Sequence, residues 1–116
     1  MEYSTLDKLG VRVSRLGFGC MRFPLTAEGK IDEPRAAAML DTAYKAGVTY
    51  YDTAYFYHQH TGEAFLGRAM KRYPRDTFYL ATKMPMSIVE SLDHAKEIFE
   101  GRAANGLRGF LPASRR

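Results

Sequence analysis

Val48-Thr49-Tyr50-Tyr51-Asp52-Thr53-Ala54-Tyr55-Phe56-Tyr57 is the stretch on which the fold turns. Val48 to Tyr51 is β-branched and aromatic, which predicts a strand, and Asp52 ends it. The residues just before it read as a helix. Asp32 is a good N-cap, Glu33 suits the positive first turn and Pro34 is tolerated there. Ala36, Leu40 and Ala43 keep helical spacing, and Gly47 supplies the left-handed stop. A helix delivered straight into a strand is the unit of an α/β fold.

The same unit recurs on both sides. Upstream, Ser14 to Gly19 reads as a short strand ending in glycines, preceded by a small hairpin over Tyr3 to Val13 with Gly10 at its turn. Downstream, Thr61 is a candidate cap for a second helix whose apolar stripe is Phe65, Leu66, Ala69 and Met70, stopped by Pro74. Thr77 to Thr82 predicts the next strand, ended by Lys83. Ser91 then caps a third helix with Leu92, Ala95, Ile98 and Phe99 on one face. Alternating strands and helices imply parallel strands with right-handed crossovers. Such a series begins either an open sheet or a barrel. A barrel of eight units needs ~250 residues, so a chain of 116 would hold about a third of one.

Composition excludes several classes. The chain is 46% hydrophobic and 26% charged, in the range of globular domains. No apolar run approaches the ~18 residues of a membrane span, and Met1 to Gly10 does not read as a secretory signal. The lone Cys20 cannot form an internal disulfide and fits a reducing, cytoplasmic setting. The net charge of +4 is no sign of nucleic-acid binding. Setting aside Arg102, Arg108, Arg115 and Arg116 leaves 13 basic and 13 acidic residues in the first hundred.

Residues 101–116 break the pattern. Gly101 interrupts a helical stripe, and the residues after it are rich in arginine, glycine and alanine with no usable period. The expectation is a unit over 1–100 and a divergent, disordered tail over 101–116. The tail reads as a reading-frame change or mis-called gene end, its composition being that of a GC-rich gene out of frame, in preference to a natural capping segment.

Two strand ends carry candidate chemistry. Parallel neighbours lie ~4.8 Å apart, so Asp52 and Lys83 come together at one rim, with Tyr57 on the loop beside them. A phenol keeps its proton at neutral pH and can donate it to a developing alkoxide. A neighbouring ammonium favours the phenolate that remains, and a carboxylate keeps the ammonium charged and in place. Spacing alone favours an ordinary ion pair beside a loop aromatic. His58 and His60 read as a solvated loop, His94 as surface, and Cys20 as a small packed side chain; no metal site is expected. Gly17-Phe18-Gly19 is too short for a dinucleotide fingerprint.

Asp52-Thr53-Ala54-Tyr55-Phe56-Tyr57 resembles the aldo/keto reductase signature of Asp-Thr-Ala, two residues, then Tyr. Leu9 through Pro24 is similar to that family's first strand and loop, Phe65-Leu66-Gly67-Arg68-Ala69 to its second helix, and Ala81-Thr82-Lys83 to its lysine strand. The wording of Cys20 to Pro24 is similar to a branch whose full-length members often carry a C-terminal iron-sulfur segment, absent here. The resemblance implies the N-terminal part of a (β/α)8 TIM barrel, a hairpin plus about three βα units. It implies an NADP-dependent oxidoreductase acting on small aldehydes or ketones. It assigns Tyr57 as proton donor, Lys83 as the partner that favours its phenolate, and Asp52 as the residue holding Lys83. It places Gly19, Cys20, Met21 and Asp52 at the cofactor. The family's fourth catalytic residue, a histidine ending the fourth strand, has no counterpart in this chain, nor does its adenosine-phosphate site. The alternative expectation is therefore a truncated, catalytically inactive fragment, acting at most as a partner-binding or non-functional product. The substrate and oligomeric state stay open.

Overall fold

The computed structural model describes residues 1–104. It opens on an antiparallel hairpin of β1 (Tyr3–Leu6) and β2 (Val11–Ser14), with Tyr3 facing Ser14 and Leu6 facing Val11. Gly10 closes its turn at φ +62°, a conformation that costs glycine no steric clash. Three short strands then form a parallel sheet in the order β3 (Phe18–Gly19), β4 (Tyr50–Asp52), β5 (Tyr79–Ala81). Helix α1 (Glu33–Lys45) links the first two and α2 (Gly62–Met70) the last two. Helix α3 (Leu92–Ala104) follows β5. This is the expected strand–helix alternation, with β3 and β5 as the two edges of the sheet among the described residues.

The helix ends follow local chemistry. The Asp32 carboxylate accepts the Arg35 amide at 3.2 Å, and Gly47 takes φ +91° just past the end of α1. Ser91 Oγ accepts the His94 amide at 3.0 Å and starts α3. Thr61 stands at the N-cap position of α2 but makes no capping bond; its hydroxyl turns back and donates to the His58 carbonyl at 2.6 Å. The strands are shorter than the apolar runs that mark them. Arg75–Thr77 forms a 3-10 turn after Pro74, which takes Thr77 out of the expected strand.

The hairpin is fastened to the body at the start of β4. The Ser14 amide donates to Thr49 Oγ1 at 2.8 Å and the Thr49 amide to Ser14 Oγ at 2.9 Å, while Tyr3 Oη donates to the Gly47 carbonyl at 3.0 Å. The core lies between the sheet and the first two helices. Ala36 and Leu40 of α1 form one buried cluster with Val48, Tyr51 and Phe78 from the sheet region and Phe65, Leu66 and Met70 of α2. Of the adjacent tyrosines, Tyr51 is fully buried and donates to the Val48 carbonyl at 3.0 Å, and Tyr50 is exposed.

Helix α3 does not stop at Gly101. Glycine costs roughly 1 kcal/mol in a helix interior, but Arg102, the next residue, is buried. Its Nε donates to Glu63 Oε2 at 2.9 Å, and its Nη2 donates to Glu63 Oε1 and, at 2.6 Å, to Thr82 Oγ1. This anchor carries the helix past residue 100 to Ala104. The rest of the expected tail, 105–116, lies outside the described residues.

Candidate active site

Register brings the acid and the amine together. Asp52 of β4 faces Ala81 of β5, and Lys83 stands two residues beyond, just past the end of that strand. Lys83 Nζ donates to Asp52 Oδ1 at 2.6 Å and to the Thr53 carbonyl at 3.0 Å. It also lies 5.3 Å from the centre of the Tyr57 ring, within cation–π reach. The hydrogen bond to the Asp52 carboxylate raises the Lys83 pKa, against a smaller desolvation effect. The side chains of Lys83 and Asp52 are 54% and 39% exposed, so water screens the pair and it adds little to stability. What it does provide is an ammonium held beside a phenol, its proton retained more firmly than that of a free lysine.

Tyr57 is held by its backbone. Its amide donates to the Ala54 carbonyl and its carbonyl accepts the Gly62 amide, both at 3.2 Å. A Cβ on Gly62 would sit 3.1 Å from the Tyr57 carbonyl oxygen, so the start of α2 packs directly against the Tyr57 backbone. Between them His58, Gln59 and His60 all take positive φ, at 53°, 54° and 69°. Three consecutive non-glycine residues in that region are costly, and such conformations gather at functional sites.

The expected cofactor residues share this rim but differ in what they present. Gly19 faces Asp52 across β3 and β4, and a Cβ there would meet nothing within 4 Å. Met21 is exposed. Cys20 is fully buried, and burial first, then the Asp52 charge, pushes its thiol up to about 12. Its side chain therefore packs into the core, and only its backbone reaches the rim.

Other residues near this rim differ in how far the sequence marks them. His58 is not a solvated loop residue: its ring stacks on Phe23 at 5.4 Å, and Nε2 lies 3.1 Å from the Cys20 carbonyl oxygen. Nothing local to His58 signals a contact 35 residues away. Glu63 was traceable, since it stands three and seven residues before Leu66 and Met70 on the buried face of α2. Thr53 is fully buried, and its hydroxyl oxygen has no partner among the described residues. A groove of about 710 Å³ between the Thr26–Ile31 turn and the His58–Thr61 loop is lined by His58 and His60 but not by Asp52, Tyr57 or Lys83, which open on the rim instead.

Comparison with known proteins agrees with this architecture. The family model of the aldo/keto reductase family matches residues 15–114. Norsolorinic acid reductase stcV of Emericella nidulans is 37% identical over 110 residues, covering 90% of this chain and 28% of that protein. A probable aldo-keto reductase 1 of Glycine max is 35% identical over 78 residues, covering 67% of this chain and 22% of that protein. Among solved structures, an aldo-keto reductase from Bacillus halodurans in its holo form superposes with a TM-score of 0.69 at 30% identity, over 95% of this chain and 36% of that one. A thermostable aldo-keto reductase bound to the inhibitor epalrestat gives 0.67 at 24% identity, over 95% and 39%. The chain thus spans between a fifth and two fifths of the proteins it matches.

The fold is the opening section of a (β/α)8 barrel. Its βα units leave the sheet unclosed among the described residues. The chain belongs to the aldo/keto reductase family.

Proposed function

We propose that this chain supplies the proton-donating corner of an NADPH-dependent reductase of small aldehydes or ketones, with Tyr57 as the donor. The observation that carries this reading is the Lys83 ammonium, 2.6 Å from Asp52 Oδ1 and 5.3 Å from the Tyr57 ring centre. A phenol is protonated at neutral pH, so Tyr57 can give a proton to a developing alkoxide. Lys83 offsets the negative charge left on the phenolate, and charge-assisted contacts of this kind are worth most where charge develops. Asp52 keeps Lys83 charged and in place, and the Thr53 carbonyl fixes the direction of a second ammonium proton.

The rim fits the nicotinamide end of the cofactor. Gly19 leaves open space where a side chain would stand, and exposed Met21 and the Asp52 carboxylate flank it. Gly19, the Cys20 backbone, Met21 and Asp52 would hold that end. When bound there, the cofactor supplies the hydride. A cytoplasmic setting agrees with the lone, buried cysteine.

A second reading concerns the 116-residue chain by itself: it does not turn over. The edges of β3 and β5 are unpaired among the described residues, and holding both reactants is worth ~7–11 kcal/mol of barrier. The test is NADPH oxidation with a panel of aldehydes and quinones, for the chain and for a fusion that adds the remaining barrel units of a full-length relative. The fusion should reduce carbonyls and lose that activity on Tyr57→Phe. The chain alone should be equally silent with either residue. A fusion indifferent to Tyr57→Phe refutes the donor assignment, and Tyr57-dependent turnover by the chain alone refutes the second reading.

A further inference from the structure

We propose that His58 is a positioning residue that ties the Tyr57 loop to the Gly19–Met21 rim, and so sets where the proton donor stands relative to the cofactor face. The significance for catalysis rests on the functional reading above; the tie itself does not.

The contacts are specific. The His58 ring stacks on Phe23, with centres 5.4 Å apart and planes 29° from parallel. Its Nε2 lies 3.1 Å from the Cys20 carbonyl oxygen and 3.4 Å from the Phe23 amide nitrogen. One tautomer donates from Nε2 to Cys20; the other accepts at Nε2 from Phe23. Either way the bond grips the 3-10 turn Cys20–Arg22, which carries Met21 at the rim. Phe23 is itself seated in the core, edge-on to Phe65 at 5.1 Å, so the stack is anchored at depth.

The other side of His58 is gripped as firmly. Its carbonyl accepts both the Thr61 amide at 3.1 Å and the Thr61 hydroxyl at 2.6 Å. A Cβ on Gly62 would come within 3.3 Å of His58 Cδ2. The residue adopts φ +53°, and its two successors share the left-handed region. A left-handed non-glycine residue persists only where its surroundings overdetermine it. Here the conformation turns the imidazole back toward Phe23 while leaving Tyr57, one residue earlier, beside Lys83. Loss of the ring would leave Tyr57 its backbone bonds to Ala54 and Gly62 but remove the tie that sets its loop against the Gly19–Met21 turn.

The experiment uses the 116-residue chain without cofactor and reads the two loops by NMR. His58→Ala should shift both the Cys20 carbonyl carbon and the Tyr57 ring signals, and in the tautomer that accepts at Nε2 it should also accelerate exchange of the Phe23 amide roughly tenfold. His58→Gln carries an amide nitrogen close to the place of Nε2 and should restore the Cys20 and Tyr57 signals without the stack. Should His58→Ala lose its fold, His58→Phe serves: it keeps the stack, lacks the nitrogen, and must still move the Cys20 carbonyl. The proposal is overturned if the Cys20 and Phe23 signals stay put on removal of the ring. It is equally overturned if they move while Tyr57 does not. Failure of the donor assignment shows elsewhere, as a barrel fusion indifferent to Tyr57→Phe, and leaves these signals unaffected.

Discussion

Replacing Glu63 by leucine strands the Arg102 guanidinium. Both side chains are only 8% exposed, and Arg102 spends two hydrogen bonds on the carboxylate and one on the Thr82 hydroxyl. Removing one partner of a buried pair costs about 3–5 kcal/mol, because the remaining charge is left desolvated. Glu63 also stands in the first turn of α2, where an anion is worth a further ~0.3–1 kcal/mol. A domain of this size has roughly 5–15 kcal/mol in all, so Glu63→Leu should remove a large part of it. Arg102→Met should cost a similar amount. Glu63→Leu with Arg102→Met removes both charges and should lie within about 1 kcal/mol of the parent, as apolar replacement of buried pairs often does. Urea unfolding followed by circular dichroism gives the full double-mutant cycle. Helix α3 has one escape: it can undock and hydrate Arg102, in which case amides of Leu92–Ala104 exchange faster while those of α2 do not. Single variants that each cost under ~0.5 kcal/mol, with α3 exchange unchanged, would refute the buried network.

Cys20 should resist a thiol reagent at pH 8 in the folded chain and react once it is unfolded. Its pKa rises from 9.0 to about 12 on folding, chiefly through burial, so between those values the native state holds a proton the unfolded state has lost. The resulting stabilisation is complete below pH 9 and is lost as pH climbs toward 12, so the unfolding midpoint should fall over that window; prompt native-state labelling would contradict it. Gly47→Ala should lower stability by about 1–3 kcal/mol, since φ is +91° and the new Cβ would come 2.7 Å from Tyr3 Oη. An unchanged urea midpoint would show that the hairpin tie there is unimportant.

The strand–helix order was legible because each boundary has a local chemical cause. Asp32, Gly47 and Ser91 act within a few residues of themselves, and the chain cannot avoid their consequences. The meeting of Asp52 with Lys83 was legible for a different reason: parallel neighbours expose their C-terminal ends on one side, whatever the details of packing. Strand lengths were not legible, since apolar runs such as Thr77 to Thr82 continue through turns that Pro74 sets. The helix past Gly101 was hidden by a glycine whose modest local cost is offset by a contact with Glu63, 39 residues away. The same holds for His58. A histidine between polar loop residues looks solvated until the chain is folded and Phe23 arrives beneath it.

The paired bonds between Ser14 and Thr49 have an engineering consequence. They fix the hairpin to the start of β4, whereas Asp52 lies at its end, so the hairpin is attached at the pole away from the chemistry. Its turn, Asp7 to Gly10, is wholly exposed. Loop tips of that kind accept inserted sequence readily. The hairpin is thus a handle: a fluorophore, affinity peptide or surface tether placed in its turn would report on the molecule without standing in the path of anything that approaches Tyr57.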